Sequence, residues 1–416
     1  MTHQETAKFD ILVVGGGIAG LTQTLALADA GFEVACVDPL PASKPPVREL
    51  DGRTTALLQG ALNVLRRLEV WPACHTRAGA LERMCIVDEA GRPPRAPKRV
   101  CFDSREAGSG PFGYNTPNAV LRRALVERLA VEPAVWHFDA TALTTLRFES
   151  TRAVAVLSNG QEVTANLVVG ADGKDSPCRI SAGIPVRRWS YGQAAIAFAM
   201  THSRSHHNVS TEFHRTTGPF VLVPLPGQRS SVVWVGPERG VSHYMDMQDA
   251  DFRRAVMART RGVVGNIEDI GRRGCFPAVS LIADRYAAPR LALVGEAAHA
   301  MPPIGAQGLN LGLTDVAALT EVLAEARQNG ADSGAPEVLA RYEARRRADV
   351  MTRVFGIDTL NRNVMSKFPP AQALRHVGLT AVSRIPALRT RLMRRGMTPV
   401  GSTPRLMQPL KQTDMS

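Results

Sequence analysis

The chain has 416 residues, long enough to bury a full core and to divide into a large unit and a smaller one. Its 44% apolar and 21% charged residues exclude a disordered or low-complexity chain. Basic residues outnumber acidic ones by 50 to 38, yet ten of them fall between Thr359 and Thr413, where no acid occurs, so the remainder carries only about +2.

The basic residues are not interleaved with aromatics on a recognisable module, which speaks against a nucleic-acid binder. Six cysteines (Cys36, Cys74, Cys85, Cys101, Cys178, Cys275) form no C-x-x-C pair. That spacing argues against a zinc site and a disulfide framework, and for a reducing cytoplasm. Met1 to Asp10 is polar, without the pattern of a signal peptide. No apolar run approaches the ~20 residues of a membrane span.

Phe9 to Val14 reads as a buried strand, and Gly15-Gly16-Gly17-Ile18-Ala19-Gly20 follows it. Leu21, Leu25 and Ala28 recur at helical spacing until Gly31, and a second strand, Glu33 to Val37, ends in Asp38. This is a dinucleotide-binding arrangement. Gly15, Gly17 and Gly20 let backbone approach a pyrophosphate at a helix N-terminus, and Asp38 accepts from a ribose hydroxyl. FAD and NAD both fit it.

Asp51-Gly52-Arg53-Thr54-Thr55-Ala56-Leu57 precedes a helix through Leu62, Leu65 and Leu68; on its own, Arg53 is a solvated loop cation. Residues 72 to 100 look like a change of sheet, with a strand at Met84 to Val87 and a proline-rich loop from Arg92 to Lys98. A helix with Val120, Leu121, Leu125 and Leu129 on one face then begins at Asn118, which suits an N-cap. Val154 to Thr164 is a hairpin with an Asn159-Gly160 turn, and Leu167 to Val169 is the next strand. That strand ends in Gly170-Ala171-Asp172-Gly173-Lys174-Asp175-Ser176, where Asp172 could serve simply as a turn former.

From Ser181 to about Ala278 the pattern is mostly antiparallel strands, among them Ala194 to Met200, Phe220 to Leu225 and Ser231 to Val235. His202, His206 and His207 read as solvated loop residues, because no carboxylate or cysteine completes a metal site there. Leu291 to Val294 is a short buried strand leading into Gly295-Glu296, a Pro302-Pro303 loop and Gly305-Ala306-Gln307-Gly308. A helix starts near Leu309 and runs through Val316, Leu319 and Leu323. Its N-terminus presents bare N–H groups and the positive end of a dipole. Pro336 to Asn361 is a further helix with Glu337/Arg341 and Glu343/Arg347 at i,i+4 and with Val350, Val354 and Ile357 inward. Leu374 to Ile385 continues at helical spacing, and Pro386 opens a helix carrying Arg389, Arg391, Arg394 and Arg395, ended by Gly396. This basic amphipathic end either packs on its own domain or docks on anionic lipid.

Three of these stretches resemble, in order, the motifs of the single-component flavin aromatic hydroxylases: the glycine turn with Asp38, Gly170 to Ser176, and Gly295 to Asp315. Asp51-Gly52-Arg53, the Gly113-Tyr114 helix entry, Arg341-Tyr342-Glu343-Ala344-Arg345-Arg346-Arg347 and Asn361-Arg362-Asn363 are similar to the ubiquinone-biosynthesis branch. Two features depart from the pattern. Glu296 stands where the family usually has Asp, and Gly305-Ala306 has the order of p-hydroxybenzoate hydroxylase rather than that of the quinone branch.

The resemblance implies an α/β fold. A Rossmann-like FAD-binding domain would comprise residues 1–75, 101–180 and 279–365. A mostly antiparallel substrate domain would comprise 76–100 and 181–278, and a basic helical segment 366–416. It implies that Arg53 reaches the FAD phosphates, Asn118 touches the cofactor, and Asp172 and Glu296 hold it, Glu296 facing the ribityl chain. Pro302 to Asn310, including Gly305, Gly308, Leu309 and Asn310, would line the isoalloxazine, with the Pro303 carbonyl near the substrate phenol. His299 would have a structural, hydrogen-bonded role. The implied activity is hydroxylation of a polyprenylated phenol by molecular oxygen, with NAD(P)H or an electron-transfer protein as reductant. The setting implied is peripheral, on the inner membrane, with room for a quinone-biosynthesis complex. A hydroxylase of a small soluble phenol and a catalytically weak flavoprotein scaffold are the alternatives.

Overall fold

The computed structural model describes residues 7–42, 52–89, 98–108, 110–366 and 368–410. Asp51 and most of the proline-rich stretch, 92–97, lie outside the described residues.

The strands expected near the N-terminus form as β1 (Ala7–Val14) and β2 (Val34–Val37), joined by helix α1 (Ile18–Asp29). Gly31 ends α1 in the left-handed region, at φ +87°, where a side chain would be strained. A second helix, α2 (Asn118–Leu129), packs on α1. β1 pairs in parallel with β2 on one side and with β3 (Glu162–Gly170) on the other, and β3 pairs in parallel with β4 (Leu291–Leu293). Toward their C-terminal ends these strands are apolar runs, because both faces of the sheet are covered there. One expectation is corrected here. The hairpin arm after Asn159-Gly160 and the strand at Leu167 are a single strand, β3, paired with Ala153–Leu157 at its start and with β1 throughout.

Helix α3 (Gln307–Gln328) begins two residues earlier than the periodicity indicates and lies between α1 and α4 (Pro336–Met365). Enclosed on both sides, it buries residues around most of its circumference, and Gln23 Nε2 on α1 donates to Thr320 Oγ1 across the contact, at 2.9 Å. On α4, Val350, Val354 and Ile357 are buried as expected and Arg347 pairs with Glu343 at 2.8 Å, but Arg341 pairs with Glu325 of α3 rather than with Glu337.

Among the described residues the second sheet has nine strands, centred on the long strand Val186–His202 between Arg229–Pro237 and Gly274–Ala283. Arg83–Asp88 and Lys98–Asp103 extend one edge, and His299–Ala300 closes the other. Its core sets the aromatics Phe198, Phe213, Phe220, Trp234 and Phe252 among aliphatic side chains. In the same sheet, Cys85 and Cys101 face each other in antiparallel register and form a disulfide, with Cα atoms 4.1 Å apart. The reading against disulfide bonding is therefore corrected for this pair, and the cysteine argument for a reducing compartment loses its force. Strand register, which local spacing does not encode, brings them together.

Helices α5 (Pro369–Arg384) and α6 (Pro386–Met397) complete the chain's helical end. Among the described residues, no helix is long and apolar enough to cross a membrane.

Candidate active site

The C-terminal ends of β2, β1, β3 and β4 lie side by side, the place where open parallel sheets bind ligands. A Cβ at Gly15 (φ +110°) would lie 2.4 Å from the Ala171 carbonyl oxygen, so the β1–α1 turn and the loop after β3 touch backbone to backbone. At Gly20 a Cβ would lie 1.8 Å from the Gly15 carbonyl oxygen. Gly17 differs: it is the N-cap of α1, no side chain caps the helix, and a Cβ there meets nothing within 4 Å. The turn is closed underneath and open where a ligand phosphate would meet the helix dipole.

Asp38 follows β2, is buried, and accepts from the Leu40 N–H through Oδ1 at 3.0 Å. Its Oδ2 faces Arg122 Nη2 at 3.4 Å and would lie 1.9 Å from a Cβ at Gly16. Gly16 and the buried Arg122 were not among the residues singled out from the sequence. A charged residue one helical turn beyond Asn118, on the Leu121/Leu125 side of α2, was the available signal for Arg122.

Asp172 accepts from the Cys178 N–H through Oδ2 at 2.9 Å, while its Oδ1 is buried with no hydrogen-bond partner among the described residues. Arg179, also missed, staples this loop to the next strand end: Nη1 donates to the Ala297 carbonyl at 2.8 Å and Nη2 to that of Lys174 at 2.9 Å. Beyond β4 the Glu296 side chain is exposed, and its neighbour Gly295 (φ +60°) is held from beneath. The Gly295 N–H donates to Asp315 Oδ2 at 3.0 Å, His299 Nε2 lies 2.6 Å from the same oxygen, and Arg346 Nε donates to Oδ1 at 2.7 Å. Burial works against the charged form of Asp315, but His299 and Arg346 outweigh it and hold its carboxyl below the usual range.

The start of α3 is a second uncapped N-terminus, entered through Gly305 (φ +65°) and Ala306 (φ +55°). Asn310 is a clamp: Oδ1 accepts from the Leu58 N–H at 2.8 Å, and Nδ2 donates to the Ala56 and Ala306 carbonyls at 2.7 and 2.6 Å. Both ends of its amide are thus taken within the protein. Leu309 packs into the core with Leu313 and Val316, whereas Pro303 and Gly308 are exposed.

Asn118 does not cap α2; Pro117 holds that position, and Asn118 Oδ1 accepts from Thr55 Oγ1 at 2.7 Å. Its N–H donates to the Arg53 carbonyl at 3.1 Å, and the Arg53 guanidinium lies over the Phe276 ring, 4.6 Å from its centroid. The strand Thr54–Leu58 thus ties Arg53, Asn118 and Asn310 into one wall. The histidine expectation is corrected: His202 is fully buried between the Arg204 carbonyl and Ser230 Oγ, each at 2.9 Å. Burial pushes its pKa down. The strand runs two residues further than expected and carries His202 under the turn, and only His207 stays exposed.

Two uncapped helix N-termini, an open glycine and an orphaned carboxylate oxygen suit a dinucleotide cofactor of the FAD kind. The protein family described as FAD binding domain matches residues 8–355. The chain is 36% identical over 388 residues to the ubiquinone hydroxylase UbiL of Rhodospirillum rubrum, across 93% of this chain and 89% of that one. It is 30% identical over 400 residues to the 3-demethoxyubiquinol 3-hydroxylase of Escherichia coli, across 95% and 99% of the two chains. Among solved structures, the p-nitrophenol 4-monooxygenase PnpA of Pseudomonas putida shares the fold with a TM-score of 0.78 at 18% identity, over 95% of this chain and 100% of that one.

Proposed function

The chain belongs to the FAD-binding domain family, and from that premise we propose how this flavin-dependent aromatic hydroxylase of ubiquinone biosynthesis works on a polyprenylated phenol. The C-terminal ends of the parallel strands would hold FAD, and the antiparallel sheet would hold the phenol. The unsatisfied buried Oδ1 of Asp172, on the loop that meets the Gly15 turn backbone to backbone, carries this reading. A buried acceptor without a donor is costly unless a ligand supplies one.

When bound, FAD supplies the electrons and the oxygen activation. The protein binds and orients. The N-terminus of α1 takes the pyrophosphate, Asp38 a ribose hydroxyl, and Asp172 a hydroxyl of the cofactor. Arg53, which lies over the Phe276 ring, would serve a phosphate, and Glu296, exposed at its corner, would serve the ribityl chain. The Pro303 carbonyl accepts a hydrogen bond from the phenol. The parallel sheet and its helices act as the FAD domain and the antiparallel sheet as the substrate domain. The seams expected after residues 100 and 278 fall within the strands Lys98–Asp103 and Gly274–Ala283.

Helices α5 and α6 seat the enzyme peripherally on an anionic inner-membrane surface. Phe368, Leu374, Val377, Ile385 and Leu392 are exposed there, beside Arg384, Arg391, Arg394 and Arg395. The charge available is smaller than the count implies. Arg362, Arg375, Arg389 and Arg405 pair with Asp358, Asp88, Glu106 and Glu321, and Lys367 and Lys411 lie outside the described residues.

Mass spectrometry of quinone precursors in a deletion strain tests the function. A polyprenylated precursor lacking one ring hydroxyl should accumulate and disappear when the chain is restored. An unchanged precursor profile overturns the proposal.

A further inference from the structure

The chain's C-terminal stretch and the loop entering α3 meet at one side chain. Arg353, on α4, donates from Nε to Asp349 Oδ1 at 2.9 Å, from Nη1 to Gln307 Oε1, and from Nη2 to the Thr398 carbonyl at 2.7 Å. Asp349 is fully buried. Its Oδ1 also accepts from the Val400 N–H at 2.9 Å, and its Oδ2 accepts from Arg346 Nη1 at 2.8 Å. Gln307 passes the contact on, because its Nε2 donates to the Gly305 carbonyl at 3.0 Å. Gly305 and Ala306 are consecutive residues in the left-handed region, and Ala306 has a Cβ. Such backbone persists only where the surroundings over-determine it.

We infer that Arg353 is a positioning residue for the cofactor: it holds the Gly305-Ala306 turn in its cofactor-facing shape, and does so only while the segment Gly396–Val400 is seated. The inference rests on the reading that FAD lies against the N-terminus of α3. Three acceptors on three segments converge on one planar fork, a task a lysine's single nitrogen cannot repeat. The seat of the C-terminal segment is therefore sensed at the flavin. Met393 of α6 is buried beside Leu81 and Phe112 and anchors that seat from its far side.

The test uses the full chain, with amide hydrogen exchange on the FAD-free protein and FAD titration of the same samples. Arg353→Met should speed exchange at Gly305 to Leu309, leave Gly15 to Gly20 at the parental rate, and weaken FAD binding about tenfold. Arg353→Lys should keep the parental melting temperature through Asp349 yet fail to restore slow exchange in the loop. Met393→Asp, which leaves Arg353 intact, should speed the same loop. Parental exchange at Gly305 to Leu309 in Arg353→Met or in Met393→Asp overturns the inference, as does exchange that rises uniformly through α3 and α4. If the parent binds no FAD, the cofactor reading fails, and the exchange data still decide whether Arg353 and the C-terminal segment hold the loop.

Discussion

The two helix N-termini at the site are built in opposite ways. The one at α1 is made by absence: Gly15, Gly16 and Gly20 occupy positions where any Cβ would strike the Ala171 carbonyl, Asp38 or the Gly15 carbonyl. Its parts come from β1, α1 and the end of β2, with one contact from the loop after β3. The one at α3 is made by charge. Asp315, His299, Arg346, Asp349 and Arg353 form a rail, buried except at Arg353, from the Gly295 N–H to the Val400 N–H, joining the β4 exit, two helices and the C-terminal segment. The first corner should be the more sensitive to added volume, the second to a lost charge.

The largest effect expected is from Gly20→Val, whose Cβ falls 1.8 Å from backbone. Destabilisation above about 5 kcal/mol, enough to unfold an ordinary domain, should abolish soluble folded protein. A variant with a parental urea midpoint would mean the turn is not closed underneath. Gly17→Val is its internal control: it should fold normally and lose FAD, read by flavin absorbance after purification.

At the charged corner, Arg346→Met leaves Asp315 and Asp349 without a shared cation and should cost about 3–5 kcal/mol, measured as a fall in unfolding midpoint. A loss below about 1 kcal/mol would show that His299 and Arg353 suffice. Asp172→Ala removes a buried acceptor rather than a fold contact of that size. It should weaken FAD binding by roughly ten- to a hundredfold, in line with ~1.5–3 kcal/mol for a charge-assisted hydrogen bond. FAD affinity equal to the parent's would mean Oδ1 does not face the cofactor.

Acid separates the corners further. At Asp349 burial opposes ionisation but Arg346 and Arg353 outweigh it, as His299 and Arg346 do at Asp315, so both carboxyls are held below the usual range. A depressed folded-state pKa adds stability that is present above the ordinary carboxylate range and is lost as pH falls through the folded values. Urea midpoints should therefore hold down to about pH 5 and drop below about pH 4, and Asp349→Asn should flatten the drop. An identical pH curve for that variant removes Asp349 from the account. The smallest effect belongs to the surface. Arg394→Glu should weaken flotation with phosphatidylglycerol liposomes at a cost of about 1 kcal/mol per cation lost, with flavin content unchanged. Undiminished flotation would move the membrane contact elsewhere.

The α1 corner was legible in the amino-acid sequence. A glycine turn between an apolar strand and a helix, with an acid ending the next strand, is a local pattern, and local sterics force its geometry whatever surrounds it. The resemblance of three ordered motifs carried the FAD assignment and the division between the two sheets. Asp172 and Glu296 were placed at strand ends because a buried parallel strand declares itself as an apolar run.

What partners those residues take was decided by tertiary structure alone. The partners of the Asn310 amide are Ala56 and Leu58, some 250 positions earlier. Arg353 is one arginine among many until Gln307 and Thr398 converge on its guanidinium. Cys85 and Cys101 meet only through strand register, and His202 is buried only because its strand runs on beneath a turn. Backbone conformation follows from residues a few positions apart, so motifs reveal it. Hydrogen bonds and ion pairs between distant segments follow from how sheets and helices pack, and one sequence read in order carries no record of that distance.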